Sequence, residues 1–89
     1  MKTQIAIVGI IVDNIESVPD LNFILSDYGD YIVGRQGVPY HKKKVNIISI
    51  IMDATEETIK ELEDKVGKLK GVSSFYKISQ FEQRLKENE

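Results

Sequence analysis

The run Val45-Asn46-Ile47-Ile48-Ser49-Ile50-Ile51-Met52-Asp53 constrains the fold more than any other stretch, because it is apolar at nearly every position and not at alternate ones. A strand of that composition is buried on both faces. The residues before it, Tyr31-Ile32-Val33-Gly34-Arg35-Gln36-Gly37-Val38, form a weaker β-rich run. Val38-Pro39-Tyr40-His41 and three lysines, Lys42 to Lys44, lie between the two runs, which predicts a long hairpin with a charged turn. Gln4 to Val12 is a second run apolar on both parities, relieved only by Ala6 and Gly9. Gly9 there predicts close approach of another backbone or side chain.

Two helices separate these strands. Ser17 is expected to cap the first, with Pro19 in the first turn and Asp20 completing a weak capping box. Val18, Leu21, Leu25 and Tyr28 form its buried stripe, and Gly29 is expected to end it in the left-handed conformation. The second helix starts at Asp53 or Thr55 and carries Ile59, Leu62, Val66 and Leu69 at helical spacing. Glu56 with Lys60, Glu61 with Lys65 and Asp64 with Lys68 stand four apart on its outer side, acid first. Gly67 implies tight packing on the sheet, and Gly71 is the stop. Val72 to Ser79 is the last strand. Residues 1–79 are read as one domain and 80–89 as a polar tail, either one frayed helical turn or disordered.

The order strand, helix, strand, strand, helix, strand is the split βαβ pattern: an α+β, ferredoxin-like βαββαβ sandwich with a four-stranded antiparallel sheet and two helices on one face. Right-handed crossovers place the first and third strands centrally, and these are the two runs apolar on both parities. Two helices shield only one face. The other would expose several hundred Å² of apolar surface by rough estimate, more than a monomer in water tolerates. The chain is therefore expected to self-associate through that face as a dimer or tetramer, most simply about a two-fold axis.

At 89 residues the chain gains from such extra burial. With no cysteine, disulfides, zinc–thiolate sites and cysteine-held iron–sulfur clusters are excluded. A net charge of −2 with one short lysine cluster argues against direct nucleic-acid binding. No apolar run reaches the ~18 residues of a membrane helix, and Lys2 is followed by a β-like run rather than a secretory leader, so no membrane role and a cytoplasmic location are expected. No catalytic constellation emerges: the single histidine, His41, has no serine or acid placed for it, and Gly34-Arg35-Gln36-Gly37 lacks the lysine and helix of a phosphate loop. The chain is read as a non-enzyme with no cofactor and no metal. Arg35, between Gly34 and Gly37, either binds an anion or protects an exposed edge. Asp13 and Asn14, at the first strand-to-helix junction, either present backbone N–H groups to a small ligand or are ordinary loop polarity. Tyr40 completes the candidate ligand-binding set with Asp13, Asn14, Gly34, Arg35 and Gly37.

The stretch Tyr28-Gly29-Asp30-Tyr31-Ile32-Val33-Gly34-Arg35-Gln36-Gly37-Val38-Pro39-Tyr40, the run from Val45 to Ala54 and the segment Gly67-Lys68-Leu69-Lys70-Gly71-Val72 resemble a family of small ACT-like proteins described as regulators of the iron-only hydrogenase system. The family is similar in fold to ACT domains and to the C-terminal domain of the nickel-responsive regulator. The resemblance implies a regulatory role with no established ligand. The nickel site of that regulator uses several histidines and a cysteine, which His41 alone cannot rebuild. Amino-acid-binding ACT domains favour a glycine in the first loop, where this chain has Asn14-Ile15. With the first strand expected from about residue 4, no helix-turn-helix or ribbon-helix-helix segment is expected, and an effect on transcription is expected to need a partner protein.

Overall fold

The computed structural model describes residues 2–80, so the expected tail lies, from residue 81 on, outside the described residues. Strand β1 (Gln4–Val12) is followed by helix α1 (Val18–Asp27), strands β2 (Ile32–Tyr40) and β3 (Val45–Ala54), helix α2 (Glu56–Gly67) and strand β4 (Val72–Ile78). The sheet order is β2-β3-β1-β4, with every neighbouring pair antiparallel. This is the ferredoxin-like arrangement, with β1 and β3 central.

Period-two geometry sorts each central strand into two sets. Ala6, Val8, Ile10 and Val12 of β1 and Ile48, Ile50, Met52 and Ala54 of β3 are buried under the helices. Leu21 and Leu25 of α1, Tyr28 at its C-terminal cap, and Ile59, Leu62 and Val66 of α2 close over them. Each large aliphatic side chain buried there contributes about 1.5–3 kcal/mol. Val18 and Leu69 pack at the margin, Leu69 beyond the end of α2.

The caps differ in part from the sequence reading. Thr55 does cap α2, its hydroxyl oxygen accepting from the Thr58 N–H at 3.2 Å. Ser17 occupies the N-cap position of α1 but makes no capping bond. Its hydroxyl, on a buried residue, instead donates to the Lys70 carbonyl at 2.6 Å, which ties the start of α1 to the turn before β4. Asn14 supplies the local cap, its side-chain oxygen accepting from the Glu16 N–H at 3.0 Å to open a 3-10 turn over Ile15–Ser17. Gly29 does not end α1 in the left-handed region: among the described glycines only Gly71 has a positive φ. The chain leaves α1 through a second 3-10 turn, Gly29–Tyr31, so β2 begins at Ile32 and runs on to Tyr40.

Candidate functional site

The β2–β3 hairpin outruns its neighbour. Val12, the last residue of β1, lies opposite Asn46, so Tyr40, paired with Val45, stands beyond the end of β1. The tip is a 3-10 turn over His41–Lys43, closed by Lys44 at φ 56° and ψ 42°. That left-handed conformation costs an L-residue about 1–2 kcal/mol. Beneath the overhang a hollow of about 350 Å³ is lined by Asp13, Ile15, Tyr40, His41, Lys44 and Asn46, with Val12, Pro39 and Val45 supplying apolar surface.

Asp13 is held there from behind. Its N–H donates to the Gly71 carbonyl at 2.8 Å, so the end of β1 is pinned to the turn before β4. Gly71 has φ +71°, and a Cβ on it would fall 2.5 Å from both Asn14 Cβ and Asp13 Oδ1. The first loop and the last turn thus fit only because residue 71 has no side chain.

The structure divides the candidate residues expected from sequence. Asp13 and Tyr40, 27 positions apart in the chain, share the hollow. Asn14 uses its side-chain oxygen to cap its own turn. Gly34 and Gly37 lie opposite Ile51 and Ile48, on opposite faces of the sheet. Arg35, opposite Ile50, points to the helix side, where its guanidinium donates to Asn22 Oδ1 of α1 at 2.8 Å. Five residues of strand, about 16 Å, separate it from Tyr40. His41 and Lys44 belong to the hollow but stood outside the expected set. Antiparallel pairing of β1 with β3 carries the missing signal, because it sets Asp13 beside the residues that precede Asn46. Among the described residues no group of three or more histidines and carboxylates could hold a metal ion, and no helix is long and apolar enough to cross a membrane.

The sheet face away from the helices is the second candidate feature. Ile7 lies opposite Ile51, and Ile11 opposite Ile47 with Val38 beyond it. These rows flank a central one, Gln36–Ser49–Gly9–Phe75. Ile7 is 52% exposed and Phe75 62%, and Ile5, Ile11, Ile47 and Ile51 are exposed beside them. The Phe75 ring lies across Gly9, where a Cβ would fall 2.3 Å from the ring, which is the close approach expected at that glycine.

No curated protein matches the chain. Among solved structures, that of the uncharacterized protein TM1266 from Thermotoga maritima matches with a TM-score of 0.85 and 24% sequence identity, covering 89% of this chain and 100% of that one. At that identity the match establishes the fold alone. The family model described as "TM1266-like: Iron-only hydrogenase system regulator, putative" matches residues 4–75, and the chain therefore belongs to the TM1266-like family.

Proposed function

We propose that this chain is a non-enzymatic, ACT-like regulatory module of the iron-only hydrogenase system, which self-associates through its open sheet face and senses a small effector. The family description supports the regulatory role. The observation that carries the assembly is the open face itself: Ile5, Ile7, Ile11, Ile47, Ile51 and Phe75 are exposed together on a sheet that, among the described residues, has helices on one side only. A second copy stacked on that face would remove them from water about a two-fold axis. On this reading the effector binds in the hollow at the hairpin tip, with Asp13, Tyr40, His41 and Lys44 as its polar contacts. Binding there biases the equilibrium between assembled states, because a ligand shifts such an equilibrium only by its differential affinity for the two. The module works in the cytoplasm and through protein contacts, not on nucleic acid.

A second reading, a structural docking module with no small ligand, is favoured by the use of Asn14 and Arg35 in internal hydrogen bonds. Native mass spectrometry of the protein purified from its own host separates the two. A dimer or tetramer carrying extra mass per subunit is the expected result and gives the molecular weight of the effector. A bare oligomer that no added metabolite stabilises against heat supports the docking module. A monomer at micromolar concentration overturns the assembly on which both readings rest.

A further inference from the structure

A second hollow, of about 290 Å³, opens between the C-terminal end of α1 and the middle of α2. It is lined by Asp27, Tyr28, Tyr31, Thr58, Glu61 and Lys65. Tyr28 is buried at 6% exposure, while Tyr31, on the turn into β2, keeps 42% of its surface in water. The two rings stand 6.3 Å apart, tilted by 48°. We propose that this hollow is a binding site for an organic cation, a guanidinium or alkylammonium group, seated against the Tyr31 ring between the carboxylates of Asp27 and Glu61.

Three observations carry the assignment. The first is the lining: two carboxylates against one ammonium leave an excess negative charge, and an aromatic face attracts cations within about 6 Å of its centroid. The second is that the hollow already receives a cation. Lys65 Nζ lies 5.1 Å from the centre of the Tyr28 ring. Its pKa is raised from the ordinary 10.5, first by a hydrogen bond with Tyr28, which outweighs the desolvation that opposes charge, with attraction to Glu61 and Asp27 adding less. The hollow thus already seats one cation over an aromatic ring. The third is that Lys65 stands over the Tyr28 ring while Tyr31 keeps 42% of its surface in water. A planar guanidinium suits that position better than a compact ammonium, because it can stack on the ring and still donate sideways to two carboxylates. The hollow belongs to the helix layer, so this site stands independently of the sheet face and the hairpin tip.

The test is a titration of the whole chain with N-acetyl-arginine amide, and with the neutral citrulline counterpart, read by NMR of the tyrosine rings. The expected result is saturable shifts at Tyr28 and Tyr31 with the arginine compound alone. Tyr31→Leu combined with Asp27→Asn should weaken binding at least about tenfold. Lys65→Met should tighten it, because the resident competitor is gone; a purely structural Lys65 would leave affinity unchanged or lower it. Equal binding of the citrulline compound, unchanged affinity in the double variant, or unchanged or weaker binding in Lys65→Met overturns the proposal. A short arginine peptide distinguishes the source of the cation: tighter binding than the single amide assigns it to a side chain of a partner protein, and equal binding to a free small molecule.

Discussion

At the scale of single residues, Gly71 is the tightest constraint on the candidate site. It joins a left-handed backbone to a contact that leaves no room for a side chain, against Asn14 and Asp13. Gly71→Ala should therefore destabilise the fold by at least about 1–2 kcal/mol, since strain and clash act together. Urea unfolding measures this, and a loss below about 0.5 kcal/mol would show that the turn relaxes freely. Residues of this kind are only half legible in a sequence. Gly71 reads as a helix stop from its position, but its partners, 57 and 58 positions earlier, appear only once β1 and β4 pair. Arg35 shows the opposite limit. The glycines near it point to a ligand or an edge, and β2 is indeed an edge strand, but nothing in that pattern foretells the bond to Asn22 on α1, which depends on the face Arg35 takes after the bulge between Ile32 and Gly34.

At the scale of elements, strand order and core were readable because β1 and β3 carry apolar residues on both parities and both helices carry clean stripes. Ile59, Leu62 and Val66 are wholly buried, as their spacing requires. Boundaries and caps were less readable. Ser17 is a reasonable cap by type, yet the Lys70 carbonyl competes for its hydroxyl and prevails. Gly29 lost its expected role to a 3-10 turn that carries the chain directly into β2. Gly67 packs as expected: a Cβ there would approach Ser74 Oγ of β4 to 3.1 Å, and that hydroxyl in turn donates to Glu63 of α2 at 2.7 Å. On the open side, Gly9 and Phe75 act as one unit across β1 and β4. Gly9→Ala should push the ring off the sheet at little cost to monomer stability, under about 1 kcal/mol, because the ring can swing into solvent. The same change should weaken self-association by about tenfold or more, since it raises a ridge at the centre of the contact. A dilution series checks it; unchanged assembly would place Phe75 outside the interface.

At the scale of the whole molecule, the two faces of one sheet have separate duties. One is closed by α1 and α2 and holds the fold; the other exposes Ile5, Ile7, Ile11, Ile47, Ile51 and Phe75, and on the proposed reading takes a second copy. Charging the second should leave the first untouched. Ile7→Lys with Ile51→Lys places two like charges directly opposite each other on the open face. The variant should keep its circular dichroism spectrum and run as a monomer in light scattering. Persistence of the oligomer would move the interface elsewhere, to the free edges of β2 or β4.

The double-sided apolar character of β1 and β3 has one more consequence, for how the chain avoids threading itself wrongly. In most sheets a slip of one residue turns greasy side chains out to water, and solubility alone forbids it. Here a slip of β1 would trade Ala6, Val8, Ile10 and Val12 for Ile5, Ile7 and Ile11, and water would hardly object. What distinguishes the correct threading is shape: a small residue under the Phe75 ring, and a bare backbone at Gly71 against the first loop. Two glycines, at opposite ends of the chain, proofread an alignment that hydrophobicity leaves open.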